Sequence, residues 1–69
     1  MTFVIDFTCH WDENYPLEDT YGCFPLHVEN EIEVLYYLTN HFLHNPHLIN
    51  YYFMIDDGQN ITVVSKKGE

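Results

Sequence analysis

Hydrophobic and polar positions change period along this chain, and the changes mark out its elements. Over Thr2–Trp11 the pattern has a period of two. Phe3, Ile5, Phe7, Cys9 and Trp11 fall on one face, and Val4, Asp6, Thr8 and His10 on the other. That alternation predicts a strand with one buried side. Over Asn30–Asn45 the period lengthens. Ile32, Leu35, Tyr36, Phe42 and Leu43 recur at steps of three and four, with Thr39 completing the row, as on one face of a helix. Asn30 is placed to cap that helix through its side-chain oxygen, and Glu33 to reach back to the Asn30 N–H. Pro46 biases Asn45 away from helical geometry, so the helix should stop near His44. From Leu48 to Asp56 the period returns to two, with Ile49, Tyr51, Phe53 and Ile55 opposite Asn50, Tyr52, Met54 and Asp56. Asp57-Gly58 then marks a hairpin into a last strand over Asn60–Ser65. A three-residue loop of Asp56, Asp57 and Gly58 sets Phe53 opposite Ile61 and Tyr51 opposite Val63, with glycine at the left-handed position.

The segment Asp12–His27 has no clear period. It holds Pro16, Gly22, Pro25, the pair Glu18-Asp19 and the aromatics Tyr15, Tyr21 and Phe24. Within it Tyr21–Phe24 reads either as a short extra strand or as a segment lying over a sheet edge. The elements predict an α+β fold of order β-α-β-β. It is a three-stranded antiparallel sheet, spatial order 1-3-2, with one helix on one face. The β-branched run Ile61–Val64 suits the centre of that sheet. The uncovered face would show Thr8, His10, Asn50, Tyr52, Met54 and Thr62, a candidate contact surface or homodimer interface.

The 69 residues allow one domain, residues 1–69, with a frayed tail over 66–69 and little or nothing before the first strand. Charge changes the picture more than size does. Eleven Asp and Glu face two lysines, Lys66 and Lys67, for a formal charge of −9. Up to Ser65 there is no Lys or Arg at all. Twelve aromatic residues argue against disorder in spite of that imbalance. No basic segment precedes an apolar run, and no apolar stretch approaches the length of a membrane span, so a cytoplasmic protein with reduced thiols is expected. A Cys9–Cys23 bridge is the alternative in an oxidising compartment.

Candidate chemistry is sparse. Cys23 and His27 have a zinc-like spacing, but Cys9 and His10 are adjacent on a strand and point to opposite faces. His41, His44 and His47 suit the negative end of a helix dipole better than a metal. The only serine is Ser65, a carboxylate background opposes a reactive thiolate at Cys9 or Cys23, and no glycine-rich phosphate loop occurs. Phosphate would be repelled, which disfavours direct nucleic-acid binding. The expectation is therefore a protein that is not an enzyme, with no cofactor and no metal. What remains is the acidic surface. Asp12, Glu13, Glu18, Asp19, Glu29, Glu31 and Glu33 place seven carboxylates within 22 residues, more than helix capping requires. The long segment leads into the helix start, so these groups are expected on one flank. Tyr15 and Tyr21, with Phe24, would anchor a partner there.

In size, charge and the carboxylate sets Asp12-Glu13, Glu18-Asp19 and Glu29-x-Glu31-x-Glu33, the chain resembles the small acidic inhibitors encoded by phages, the anti-CRISPR proteins and other DNA mimics. The resemblance implies binding to the basic nucleic-acid-binding surface of a CRISPR effector or similar nuclease complex in a host cytoplasm, blocking nucleic-acid access. The alternative is an interaction module of another kind, such as an antitoxin, immunity protein or assembly adaptor, that uses an apolar Tyr/Met surface.

Overall fold

A computed structural model describes residues 1–67 of the chain. Thr2–Trp11 forms strand β1 and Thr20–His27 forms β2. Glu31–Leu38 is helix α1, followed by a single π-helical turn over Thr39–Leu43. Leu48–Asp56 is β3 and Ile61–Lys66 is β4. The four strands form one antiparallel sheet in the order β2-β1-β3-β4. The expected three-stranded sheet of order 1-3-2 is thus corrected in strand number and in order. Both β2 and β3 run antiparallel to β1, so they share a direction, and the connection through α1 passes from one to the other across β1. Ile61–Val64, expected at the centre, lies on the edge.

The missed strand is β2. Gly22 and Pro25 discourage a strand reading, yet both fit this one. The Val28 N–H donates to the Met1 carbonyl at 3.1 Å. Every second pair then bonds, and the Val4/Pro25 pair falls at a position where the proline nitrogen faces away from β1. An edge strand tolerates that. Gly22 lies opposite Phe7, and a Cβ there would come within 3.1 Å of the Phe7 ring.

The inward face of β1 is as the alternation predicts: Phe3, Ile5, Cys9 and Trp11 are buried and Phe7 is half-buried. The helix is not. Asn30 Oδ1 accepts the Glu33 N–H at 3.1 Å as expected, although Glu33 reaches back to the Glu29 N–H, not that of Asn30. Its buried residues, however, are Val34 and Leu38. Ile32, Leu35 and Tyr36, expected in the core, face outward at 66 %, 40 % and 66 % exposure. The segment Ile32–Leu38 has apolar residues at six of seven positions, so periodicity admits more than one stripe. The His44 N–H donates to the Thr39 carbonyl, five residues back, at 3.0 Å. This wide turn shifts the inward stripe by one residue, bringing Phe42 and Leu43 toward the sheet in place of His41.

Two register corrections follow. A bulge between His10 and Trp11 pairs Trp11 with Leu48, so Leu48 is buried and Ile49 is not. In the β3–β4 hairpin Asp56 pairs with Ile61 and Phe53 with Val64, so the loop is residues 57–60, not 56–58. The Asp57 carboxylate accepts the N–H groups of Gln59 and Asn60 at 2.8 and 2.7 Å, and Asp56 accepts that of Gly58 at 2.7 Å. These side-chain bonds build a longer turn than sequence spacing suggested, with Gly58 at φ 96°. Thr62 and Val64 consequently face the helix, while Ile61 and Val63 face outward. Of the tail expected to fray, Lys66 pairs with Tyr51 in β4, and Gly68 and Glu69 lie outside the described residues.

The helix orientation is open to a direct check. Leu38→Ala should cost about 2–5 kcal/mol, and Ile32→Ala or Leu35→Ala less than about 1 kcal/mol, in urea unfolding. The reverse ranking would restore the stripe read from the sequence.

Candidate functional site

The seven carboxylates expected on one flank are divided by β2. Asp12, Glu13, Glu18 and Asp19 precede that strand, and Glu29, Glu31 and Glu33 follow it. Eight residues of strand separate the two groups by roughly 24 Å along the sheet. The single-flank expectation is therefore corrected. The topology adds Asp56 and Asp57 to the helix end, because Asp56 pairs with Val4 near the start of β1. It sets Lys66 and Lys67 toward the other end, since Lys66 pairs with Tyr51 and Tyr51 with Cys9.

Two of the first group, Asp12 and Asp19, are tied into the fold, and Glu13 and Glu18 are exposed. Asp12 accepts from His47 Nδ1 at 2.9 Å and from the Asn14 N–H at 2.9 Å, and its own N–H donates to the His47 carbonyl at 2.8 Å. The bonds that the carboxylate accepts, led by that from His47, hold it below its ordinary pKa. Asp19 meets His10 Nδ1 at 2.5 Å. Tyr15 stacks on Trp11, centroids 4.5 Å apart, with His47 5.2 Å away on the other side. It braces the loop and is half-buried. Tyr21 is the contrary case, 83 % exposed on the outer edge of β2. Phe24 points inward, 5.8 Å from Phe7.

The second group has a different neighbourhood. Glu29, Glu31 and Glu33 are exposed around the start of α1, and the outward stripe of Ile32, Leu35 and Tyr36 begins among them. Carboxylates and exposed apolar side chains thus share one helix surface. Sequence reasoning missed this because it had assigned the stripe to the core. The signal was present in the nearly all-round apolar character of Ile32–Leu38, which leaves part of any such helix uncovered on a one-layer sheet.

A second exposed apolar region lies on the uncovered sheet face. Cross-strand register sets Cys23, Asp6, Met54 and Val63 in one row, with Pro25, Val4, Asp56 and Ile61 in the next. Tyr21, Thr8, Tyr52 and Ser65 form the row on the other side. Two shallow grooves of about 380 and 410 Å³ lie along this face, the first lined in part by His10, Tyr52 and Lys66, the second by Asp6, Tyr21 and Met54. Thr62, expected here, is on the helix side.

Thiol chemistry is opposed at both cysteines. Cys9 is buried beneath the helix, and burial raises its pKa against a smaller lowering by its hydrogen bond to Thr20. Cys23 is on the uncovered face, where loss of hydration and the hydrogen bond and charge of Asp6 push its thiol upward. The two side chains occupy opposite faces of the sheet, so they cannot bridge within the chain. His10, His27 and His47 are engaged by Asp19, Thr2 and Asp12 respectively. Among the described residues no group of three His, Cys, Asp or Glu is placed to hold a metal ion. Among them, too, no helix is long and apolar enough to cross a membrane. Comparison with protein-family models, with curated proteins and with solved structures finds no match to this chain.

Asp57 offers a pH test of the local electrostatics. The backbone N–H groups of Asn60 and Gln59 lower its pKa, so its contribution to stability is present above the unfolded aspartate value of about 3.9 and is lost as pH falls through the lower folded value. Asp57→Ala should lower Tm at pH 6, and the gap from the parent chain should close on acidification below about pH 4. A pH-independent gap would mean the Asp57 charge has no part in the turn. For Cys23, iodoacetamide should react slowly at neutral pH and faster in Asp6→Asn. An equal rate in both would remove Asp6 as a cause.

Proposed function

We propose that this chain is a non-enzymatic inhibitor that seats on the basic nucleic-acid-binding surface of a CRISPR effector or similar nuclease complex and blocks access of the nucleic acid. The observation that carries the reading is the helix surface on which Glu29, Glu31 and Glu33 flank Ile32, Leu35 and Tyr36. Carboxylates with no Lys or Arg near them among the described residues draw a basic groove from a distance, and dehydrated apolar side chains beside them hold what has been drawn in.

Magnitudes favour occlusion over faithful mimicry. The molecule extends 37 × 18 × 18 Å, and the full chain carries a charge of −9. A duplex 37 Å long carries about 22 phosphate charges and a single strand about 11. The chain falls well short of a duplex, and its carboxylates cluster toward two ends. Steering by charge with blocking by bulk is the more economical mechanism. The alternative, an antitoxin, immunity protein or adaptor, draws support from the apolar rows around Tyr52, Met54 and Val63 on the uncovered sheet face.

The two readings separate in one experiment, in which the chain is titrated into a purified guide-loaded CRISPR effector holding fluorescent target DNA. Occlusion predicts displacement that weakens steeply with salt. Charge reversal at Glu29, Glu31 and Glu33 should slow association, and Tyr36→Ala should weaken binding by about 30-fold, the equivalent of a hot spot of about 2 kcal/mol. Retained affinity in those variants, with loss in Tyr52→Ala or Met54→Ala, would transfer the function to the sheet face. No displacement from effectors of any class would overturn the inhibitor reading.

A further inference from the structure

The sheet has two edges of unlike character. On β2 the groups that face outward come from Tyr21, Cys23, Pro25 and His27, and proline supplies no donor. On β4 the edge is uninterrupted. The Asp57 N–H donates to the Asn60 carbonyl at 3.1 Å, which fixes the alternation of the β3–β4 ladder. Thr62, Val64 and Lys66 then bond to β3, and Ile61, Val63 and Ser65 direct their N–H and C=O groups away from the sheet. Among the described residues nothing pairs with that edge. The side chains of Ile61 and Val63 on it are 56 % and 47 % exposed. A β-branched strand with a free, unbulged edge is a template for another strand.

We infer that β4 is a self-association edge, which pairs antiparallel with β4 of a second copy about a two-fold axis at Val63. The register follows from the outward groups. Val63 opposes its own symmetry mate, and Ile61 opposes Ser65 of the other copy in both directions. About six backbone hydrogen bonds close, and the two sheets become one of eight strands. On the uncovered face the row Met54–Val63 of each copy meets that of the other, so the two Val63 side chains cover one another, and Ile61 lies against Ser65.

Charge selects a second copy as the occupant. Two molecules of charge −9 repel at most approaches. The β4 edge is the exception, because it carries both lysines of the chain. In the stated register Lys66 lies opposite Asn60 and Lys67 opposite Gln59 of the other copy. Each lysine stem is then within reach of the partner's turn, where Asp56 and Asp57 sit. The edge is complementary to itself. This inference is independent of the inhibitor reading, since it uses neither the helix surface nor a foreign partner.

Amide hydrogen exchange by NMR on the full chain, at protein concentrations from about 10 μM to about 1 mM, tests it. Ile61, Val63 and Ser65 amides should become protected as concentration rises, whereas Thr62 and Val64 are protected throughout. Sedimentation should show the mass passing from 8.3 kDa toward twice that value over the same range. Val63→Lys sets like charges against each other on the axis and changes only an exposed side chain; it should abolish both effects and leave the exchange of Thr62 and Val64 unaltered. Free exchange of the three outward amides at about 1 mM would overturn the inference and leave Lys66 and Lys67 as guards of a solitary edge. Association that persists in Val63→Lys would overturn it as well, by placing the interface elsewhere.

Discussion

One helix has to cover one face of four strands, and the ring of Phe53 is where that covering is centred. Phe53 is fully buried, with Phe42 of the π-helical turn 5.2 Å away, Tyr51 at 5.6 Å and Phe7 of β1 at 6.3 Å. Phe7 in turn meets Phe42 at 5.4 Å and Phe24 of β2 at 5.8 Å. Aromatic side chains bury more apolar area per residue than any others, which is how a chain this short joins three strands and a helix end in one cluster. Gly22 gives the Phe7 ring its room, and Phe42 meets it from the wide turn at Thr39–Leu43.

The same constraint explains what remains outside. A single eight-residue helix supplies Val34 and Leu38 to the core, and among the described residues no second layer lies above it, so Ile32, Leu35 and Tyr36 meet solvent. Among the described residues no layer covers the far side of the sheet. Two exposed apolar regions follow from that layering: the described residues form four strands and one helix, and apolar side chains remain on the surfaces left over. That such residues persist there, against the usual cost in solubility, is why both surfaces enter the functional reading.

How far the sequence discloses this fold depends on what kind of signal each element uses. The inward set of β1 was legible because strict alternation over ten residues admits one reading. The helix start was legible because Asn30 and Glu33 act locally. The helix face was not, since six apolar residues in Ile32–Leu38 leave the choice of stripe to the sheet beneath. β2 was hidden by Pro25 and Gly22, whose acceptability depends on being at an edge and opposite Phe7, facts of tertiary structure. The β3–β4 register turned on side-chain bonds from Asp56 and Asp57 that lengthen the turn, and Ile49 was displaced by a bulge. For the candidate site, the count of carboxylates was plain, but their distribution required knowing that β2 is a strand. Once Asp19 and Glu29 lie at opposite ends of it, one cluster becomes two.

That division changes what the charge can do. Seven carboxylates on one flank would form a focused field suited to imitating phosphates at short range. Two groups separated by roughly 24 Å, about three Debye lengths at physiological salt, are screened from one another and act separately. At the loop end Asp12 and Asp19 are hydrogen-bonded to His47 and His10, and both lysines lie toward that end of the sheet, so the lysines weaken the net field there. At the helix end Glu29, Glu31, Glu33, Asp56 and Asp57 have no Lys or Arg among the described residues near them. The molecule is consequently polar along its strands, and a cationic surface would meet it by the start of the helix. That is the end at which the outward stripe of Ile32, Leu35 and Tyr36 begins.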